Sequence, residues 1–445
     1  MKYNKIILAL LLAPLGFIYL NAATLETTRG KLGLLTSNLS SSETELVLKG
    51  EIDARDFPAL VSLPASIVRL DMSALTVAEC DLAVPSAEGK SFYGAGTLPG
   101  YVFFQSKLKE VSLPKNLVEL PEGAFAASSV TKVTVPSGCT SVGNYAFYSC
   151  KELSEVSLPK SIKKIGERAF AQCSSLQNVD LPAGVELAGA EIFFNSGVTG
   201  INLNEVSSYS DFSLSGAYKL KEPSLNPDAE YGTGILMNDY SLGHVYGTPE
   251  DVPDLFAANT SWLNVNEILD GVSIVGDYAF ANTKASNIVL TPGLSYIGKG
   301  AFANANNIQA IDANPLGGAI PDVDEDAFKG IDHNQAILYV TPESFDLWKA
   351  HPVWGTFKIV AGESKVNSIN AANGIKITAA NGMVEIFASP MIGSYKIYST
   401  DGMLLTKGNS QETHVDIPHT GWNKQVLIVK VSNPEGENTA TILVN

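Results

Sequence analysis

Residues 124–182 read AFAASSVTKVTVPSGCTSVGNYAFYSCKELSEVSLPKSIKKIGERAFAQCSSLQNVDLP, which is one phrase written three times with small changes. The phenylalanines of the phrase are Phe125, Phe147 and Phe170, so the spacing is 22 and then 23 residues. A period of this length is typical of a solenoid of stacked repeats. Because no repeat can bury its own apolar face, we expect the stacked phenylalanines to form one continuous core.

Each repeat also contains a six-residue block with apolar residues at its first, fourth and sixth positions. The last two lie two residues apart, which is the period of a strand, and β-branched residues are frequent there. The clearest blocks are Leu108, Val111, Leu113; Val130, Val133, Val135; Leu153, Val156, Leu158; and Leu176, Val179, Leu181. A proline ends each block, because it cannot donate to a strand ladder: Pro114, Pro136, Pro159 and Pro182. The blocks therefore predict one short strand per repeat and a parallel sheet.

The return between strands, as in residues 161–170, places Ile162, Ile165, Ala169 and Phe170 at spacings that a short helical turn would bury together. The predicted fold class is therefore an α/β repeat solenoid with its parallel sheet on the concave face.

The chain begins with the pattern of a secretory signal peptide over residues 1–23. Lys2 and Lys5 precede an apolar run, and Ala22 and Ala23 follow it as cleavage positions. An uncleaved anchor is the alternative. No cysteine precedes Cys80, which excludes a lipid-modified cysteine at the new N-terminus. No second long apolar run follows, so we expect no membrane span in the mature chain.

Charge and cysteine content narrow the classes of partner. The chain has 46 acidic and 30 basic residues and a formal charge of −16, which repels nucleic acid and anionic membranes.

Two of the four cysteines, Cys150 and Cys173, occupy the same phase of adjacent repeats. They could pair as a disulfide. We favour two small buried residues instead, because stacking alone does not give disulfide geometry.

The pattern divides the chain into further regions. Residues 24–95 are expected to form an N-terminal cap with irregular first repeats and a short helix within residues 28–41. Residues 96–360 form the solenoid, whose phenylalanine series we extend from Phe104 to Phe194. The pattern degenerates over residues 204–262, where alternation in residues 234–255 predicts a hairpin turning at Asn238 and Asp239. The end of the solenoid is expected to be closed by Phe345, Trp348, Trp354 and Phe357.

Residues 361–445 follow a different pattern, with Asn-Gly and Asp-Gly turns between alternating apolar runs. Short strands joined by such turns predict a small antiparallel β-sandwich, separate from the solenoid.

No catalytic motif is present: there is no G-x-S-x-G, H-E-x-x-H, P-loop or G-x-G-x-x-G. We therefore predict that the protein is not an enzyme and uses no cofactor or metal. Asp322, Asp324 and Asp326 alternate as in a calcium loop, but Ala327 and His333 stand where glycine and glutamate are needed. This segment is predicted to be a solvated acidic loop, with a weak cation site as the alternative.

The segment IGERAFAQCSSLQNVDLP, residues 165–182, resembles the leucine-rich repeat of the BspA type, found in secreted or surface proteins of the Bacteroidetes and some spirochaetes. The resemblance covers roughly residues 45–360 and includes LVLKGEIDARDF, residues 46–57. The tail is similar in layout to C-terminal sorting domains of the type IX secretion system, with YKIYSTDGMLL, VLIVKVSN and TATILVN. The resemblance implies export, adhesion or host-molecule binding, and contact of residues 361–445 with secretion machinery; it assigns no catalytic residues.

Two candidate binding surfaces remain. The first is the exposed strand face: Lys109, Glu110, Ser112, Thr131, Lys132, Thr134, Ser154, Glu155, Ser157, Gln177, Asn178 and Asp180. Alternatively, these residues only present polar groups to water, as any half-buried strand does. The second is the aromatic set of the degenerate region, which either binds or packs: Tyr209, Phe212, Tyr218, Tyr231, Tyr240, Tyr246 and Trp262.

The sequence thus predicts a secreted or cell-surface binding protein that adheres to or recognises host or community proteins or glycans. The alternatives are a structural component of the envelope or extracellular matrix, and a periplasmic location.

Overall fold

The computed structural model describes residues 5–6, 22–86, 88–221, 223–243, 245, 247, 249–261, 265, 269, 271–362, 368–369, 375–380, 383–388, 391–399, 403–418, 425–433 and 436–444. The chain forms two compact units. The first comprises Met1–Ser286, Thr291–Ile308 and Ile320–Asp332; the second comprises Asn287–Leu290, Gln309–Ala319 and His333–Asn445. The domain boundaries drawn from the sequence stay predictions.

The first unit begins with the strands β1 (Lys5–Ile6), β2 (Ala22–Thr27), β3 (Glu45–Ile52) and β4 (Arg69–Val77). β1 pairs antiparallel with β2, and β2, β3 and β4 are parallel. Most of the signal-peptide segment lies outside the described residues. The helix predicted within residues 28–41 is Leu32–Thr36.

A buried carboxylate joins this first helix to the second repeat. Asp56 accepts hydrogen bonds from the backbone N–H groups of Gly30 (2.7 Å) and Leu32 (2.8 Å). Asp56 ends the 3₁₀ turn Ala54–Asp56, which leads into the helix Phe57–Val61. An antiparallel pair, β5 (Cys80–Asp81) and β6 (Phe92–Tyr93), follows β4.

Three of the four predicted strand blocks form a first parallel sheet, whereas the block of Leu176, Val179 and Leu181 forms no strand, so that part of the prediction is wrong. β7 (Glu110–Ser112), β9 (Lys132–Thr134) and β11 (Glu155–Ser157) continue the sheet from β4. Val111 and Val133, at the centres of β7 and β9, are buried while their neighbours are more exposed. Further along the chain, β14 (Asn202–Leu203) and β16 (Ser224–Leu225) form a separate parallel pair.

The returns contain a second parallel sheet rather than helical turns, so that part of the prediction is wrong. Its strands are β8 (Glu119–Leu120), β10 (Ser141–Val142), β12 (Lys164–Ile165), β13 (Glu186–Leu187), β15 (Ser208–Tyr209) and β17 (Glu230–Tyr231). A four-stranded sheet of the same kind contains β18 (Asp251–Val252), β19 (Ile274–Val275), β21 (Tyr296–Ile297) and β23 (Asp322–Val323). Most returns place two residues at positive φ, such as Arg168 (48°) and Gln172 (61°), and a right-handed helix cannot include them.

The phenylalanines stack as predicted, but the series needs a correction. Adjacent ring centroids lie 5.2–5.6 Å apart through Phe103, Phe125, Phe147, Phe170 and Phe193. Phe103 and Phe193 are in phase, not Phe104 and Phe194, because in each Phe-Phe pair the first ring takes the core position. Phe104 is 49% exposed.

The stack of repeats continues through the degenerate region, where the predicted hairpin is wrong. β13, β15 and β17 are parallel and in register. Asn238 has a φ of 63° and begins no hairpin; it occupies the turn position that Ser149 (58°) holds in a regular repeat. Residues 233–238 form turns, so the alternating apolar residues of this stretch do not lie on a strand.

The second unit contains one parallel sheet and two antiparallel sheets. The parallel strands are β20 (Asn287–Val289), β22 (Ala310–Asp312), β24 (Ile337–Val340) and β25 (Lys358–Ala361). Between β24 and β25 lies the helix Phe345–Ala350. Trp348, Trp354 and Phe357 are buried as predicted, whereas Phe345 is half-buried. The Trp348 indole donates to the Gly317 carbonyl oxygen at 2.9 Å.

The antiparallel sheets form the predicted sandwich. One contains β26 (Ser368–Ile369), β27 (Ile375–Ala380), β28 (Met383–Ala388) and β31 (His414–Pro418). The other contains β29 (Ser394–Ser399), β30 (Leu404–Asn409), β32 (Gln425–Asn433) and β33 (Gly436–Val444). Ile377 and Ile386 of the first sheet and Ile397, Leu427 and Val429 of the second belong to one buried cluster, so the sheets share a core.

Candidate functional site

The first sheet arranges the predicted surface residues in two rows. Strand pairing places Glu110, Lys132 and Glu155 side by side, which we call the charged row. The same pairing places Ser112, Thr134 and Ser157 side by side, which we call the hydroxyl row. Both rows point outward on β7 and β9 because the buried Val111 and Val133 lie between them, and on β11 the intervening Val156 is half-buried.

The charged row is neutralised from within the molecule. Arg69 pairs with Glu110 at 2.9 Å, and Lys132 pairs with Glu155 at 2.6 Å. Lys109, beside the row, pairs with Glu152 at 2.6 Å. Such exposed pairs stabilise a fold by about 0–1 kcal/mol each, but they leave little net charge for a partner.

The two hydroxyls just before the strands bond to backbone. The Thr131 hydroxyl donates to the Lys109 carbonyl oxygen at 2.9 Å, and the Ser154 hydroxyl donates to the Thr131 carbonyl oxygen at 3.3 Å. These two side chains therefore join neighbouring repeats, and their hydrogen-bonding capacity is partly used.

The hydroxyl row is different. Thr134 and Ser157 are exposed and Ser112 is half-buried, and none of the three hydroxyls bonds to another residue that the structure describes. Neighbouring strands place them about 4.8 Å apart, and each hydroxyl can both donate and accept. Asp71 of β4 is in register with Ser112 and ends the row with a carboxylate. This arrangement can form several hydrogen bonds to an extended polar ligand.

The structure does not bring Gln177, Asn178 and Asp180 into this sheet. They are exposed, but residues 176–181 form no strand, so the first sheet stops at β11. Sequence reasoning placed them there because they follow the same apolar spacing. Whether any of the twelve residues binds a ligand stays a prediction.

The aromatic set of the degenerate region divides into two groups. Tyr209 and Tyr231 stack at 4.9 Å, and their hydroxyls donate to the carbonyl oxygens of Leu203 (3.0 Å) and Asn226 (2.6 Å). Burial raises the pKa of both phenols above the usual range. These two side chains are packing residues.

The other group faces solvent to a greater extent. Tyr218 and Tyr240 stack at 5.6 Å, and Tyr240 is 60% exposed. Phe212 is half-buried. Tyr246 and Trp262 lie outside the described residues.

All four cysteines are free, in agreement with the favoured interpretation of Cys150 and Cys173. The Cys150 thiol donates to the Phe125 carbonyl oxygen at 2.9 Å, and the Cys173 thiol donates to the Phe147 carbonyl oxygen at 3.0 Å. Burial raises the pKa of the Cys150 thiol to about 11, so it carries no thiolate at neutral pH.

The acidic loop is held by local contacts. The Asp324 carboxylate accepts from the Asp326 backbone N–H at 2.9 Å, and Asp326 pairs with Lys329 at 3.3 Å. Within the described ranges, no group of three or more His, Cys, Asp or Glu side chains could hold a metal ion. None of the helices in those ranges has the length and apolarity that a membrane crossing needs.

Solved structures with a similar fold include bacterial leucine-rich repeat proteins. One from Bacteroides ovatus is 19% identical over 70% of this chain and 84% of its own, with a TM-score of 0.46. A leucine-rich repeat protein of T. pallidum is 25% identical over 34% of this chain and 74% of its own, with a TM-score of 0.29. A leucine-rich cell surface protein of Faecalibacterium prausnitzii is 14% identical over 76% of this chain and 82% of its own, with a TM-score of 0.24.

No curated protein matches the chain. Residues 96–221 and 254–343 match the family described as the BspA type leucine-rich repeat region, in six copies. The matched ranges include the strands of the charged and hydroxyl rows from β7 to β11. Both ranges of this chain are therefore built from leucine-rich repeats of the BspA type.

Proposed function

We propose that this chain is an exported, surface-displayed binding protein that recognises a protein or glycan of a host or neighbouring cell through the hydroxyl row. The observation that carries the proposal is the contrast between the two rows of the first sheet. The charged row is paired within the molecule, whereas Ser112, Thr134 and Ser157 are in register, with Ser112 half-buried and the other two exposed. A neutral surface with regularly spaced hydroxyls suits recognition by hydrogen bonds.

Export is the second part of the proposal, and the signal-peptide pattern of residues 1–23 supports it. Cleavage after Ala23 would leave residues 24–27 in place to pair with β3, so processing is compatible with the first sheet. The sandwich that follows residue 360 is proposed to engage a type IX secretion route, on the resemblance of its strand motifs.

Binding is tested by incubating the purified full chain with a printed panel of mammalian and bacterial glycans and with immobilised extracellular-matrix proteins. The variant S112A/T134A/S157A should lose binding by about tenfold or more, since about three hydrogen bonds are removed. The matched control is S141A/S208A, which alters serines on β10 and β15 of the second sheet. Equal binding by both variants would contradict the assignment of the face.

A structural component of the envelope or matrix is the second candidate. The self-paired charges of the first sheet favour it, because a neutralised face also suits passive packing. Failure of the chain to bind anything in the panel, together with tight retention in an envelope fraction, would support this candidate over the first.

Export is tested separately by treating intact cells with protease. The full chain should be cleaved outside, whereas a chain ending at Val360 should stay protected. If both stay protected, surface display is wrong and a periplasmic scaffold replaces it.

A further inference from the structure

The outward-facing residues of the second sheet change along the chain from polar to partly apolar. The first residue of each of its two-residue strands is half-buried or exposed, while the second is buried in most strands. In the six-stranded part the outward residues are Glu119, Ser141, Lys164, Glu186, Ser208 and Glu230. This row is polar, and Lys164 pairs with Glu186 at 3.4 Å.

In the four-stranded part the outward row contains two large apolar side chains. Ile274 is in register with Tyr296, and Tyr296 is in register with Asp322. Ile274 is 37% exposed and Tyr296 is 38% exposed. An isolated surface apolar residue needs no explanation, but neighbouring ones on adjacent strands form a patch.

A second tyrosine lies close to this row in sequence and is held in a fixed position. Tyr278 is 40% exposed and has a φ of 56°. Its ring packs on the backbone of Gly300 in the next repeat, where an added Cβ would lie 2.4 Å from the Tyr278 Cε1 atom. Glycine is required there because any side chain would displace the ring. One face of the ring is thereby covered and the ring is preorganised.

Carboxylates surround these apolar groups. Partial burial raises the pKa of Tyr296, and the negative charges of Asp277, Asp324 and Asp322 raise it further. Strand pairing places Asp322 directly beside Tyr296. None of these three carboxylates forms an ion pair with another described residue. Lys299 follows Asp277 by one repeat, and its backbone N–H donates to Asp277 Oδ1 at 2.8 Å.

We propose that Ile274, Asp277, Tyr278, Tyr296, Asp322 and Asp324 form a docking surface for a basic polypeptide segment rich in arginine. Charge complementarity selects this occupant, since unpaired carboxylates repel anionic glycans and phosphates. A guanidinium can stack on a tyrosine face while it donates to a carboxylate, and the stem of its side chain can cover Ile274. The surface is distinct from the hydroxyl row of the first sheet.

The test uses the full chain and a fluorescent synthetic peptide of alternating arginine and glycine, titrated at low and at physiological ionic strength. The variant D322N/D324N should weaken binding about tenfold at low ionic strength, because two negative charges of the docking surface are lost. Y296S should weaken it by about two- to fivefold through loss of the aromatic face. Y296S is expected to fold, since Ser141 and Ser208 occupy the equivalent strand position.

The matched control is E119Q/E230Q, which removes two charges from the same outward position on β8 and β17. It should change affinity by less than about twofold. An equal loss in the control would show that only the net charge of the chain attracts the peptide, and the proposal would be wrong. Unchanged binding by Y296S, or binding of a neutral glycan panel at this patch in place of the peptide, would also overturn it.

Discussion

The regular repeats and the degenerate repeats of the first unit keep the same path of the chain with different cores. In the regular part, a phenylalanine from Phe103 to Phe193 fills the centre of every repeat. In the degenerate part, the equivalent positions are Leu214, Leu236 and Ala257, all buried. The backbone nevertheless continues, because β13, β15 and β17 stay parallel and in register.

The missing rings are replaced within the same repeats. The repeat of Leu214 buries Tyr209, that of Leu236 has Tyr231, and that of Ala257 buries Phe256. These repeats therefore keep an aromatic side chain in or beside the core at a changed position: Tyr209 and Phe256 are buried, and Tyr231 is half-buried and stacks on Tyr209. A close-packed interior constrains total volume more strongly than the identity of any one residue.

The largest expected effect comes from exchanging these positions. Y231V should cost about 3 kcal/mol through a cavity, and L236F alone should cost about 1–3 kcal/mol through overpacking. The double variant Y231V/L236F should cost about 1–3 kcal/mol less than their sum. Denaturant unfolding monitored by hydrogen exchange of this region measures all three.

The converse exchange in a regular repeat, V142Y/F147L, is the matched control and should show the same favourable coupling. Additive energies in both repeats would mean that the tyrosine does not compensate for the lost phenylalanine.

The next effect concerns a buried acid in the degenerate part. Asp239 is fully buried at a position that holds Cys150 in a regular repeat and Thr260 or Thr283 later in the chain. Its Oδ1 atom accepts from the Ser241 N–H at 3.1 Å, and its Oδ2 atom has no partner among the described residues. Burial therefore raises the pKa of Asp239 from 3.8 to about 8.

Because the folded pKa lies above the unfolded one, the stability that this group contributes is complete below pH 3.8 and is lost as pH rises through about 8. The loss grows by about 1.4 kcal/mol for each pH unit above 3.8 and levels off near the folded pKa. D239N should therefore raise the thermal midpoint at high pH and leave it nearly unchanged at low pH. The control D228N alters an exposed acid and should be neutral; a pH-independent effect of D239N would contradict the assignment.

A smaller effect is expected in the returns. In the later repeats, Asn238, Asn259, Asn282 and Asn304 form a ladder of side-chain amide bonds of 2.8–3.2 Å. N282G keeps the positive φ of this residue accessible but removes two bonds, so it should cost about 1–2 kcal/mol of unfolding free energy. N282A should cost about 1 kcal/mol more, because alanine is disfavoured at positive φ.

Thermal unfolding of the two variants measures this difference. Equal stabilities of N282G and N282A would show that the backbone conformation contributes nothing here.

The smallest effect is expected at Cys150. C150S should change the unfolding free energy by less than about 1 kcal/mol, because serine fills the equivalent position at Ser128 and can keep the bond to the Phe125 carbonyl oxygen. In the native chain, a thiol reagent should label the half-exposed Cys80 and spare Cys150. Rapid labelling of Cys150 would contradict its burial.

The sequence predicts β7, β9 and β11 of the first sheet, because period-two apolar spacing and a closing proline mark each of them. The same pattern in residues 176–182 forms no strand. It does not predict the second sheet, because a strand of two residues such as Lys164–Ile165 has no readable period. The core phenylalanine of the first and last regular repeats is not predictable from spacing, because each stands in a Phe-Phe pair and either ring fits the period. The tail is predictable because turns and alternating runs are both present.

The hydroxyl row and the docking surface also differ in how far the sequence predicts them. The hydroxyl row could be predicted because each member follows its strand valine directly. The sequence does not predict that the neighbouring charged row is neutralised, because its ion pairs join residues of different repeats, such as Arg69 and Glu110. The patch around Ile274 and Tyr296 was missed because its members lie 22 residues apart; aligning the repeats on their core position would have placed them together.

Recognition of a ligand by the hydroxyl row is tested most directly at Thr134, which lies at the centre of the row. The measurement is the affinity of the full chain and of T134K for whichever molecule of the glycan and matrix panel the full chain binds. T134K should bind at least about tenfold more weakly, because a lysine there blocks both neighbouring hydroxyls, and its thermal midpoint should be unchanged. Unchanged affinity would contradict the assignment of recognition to this face.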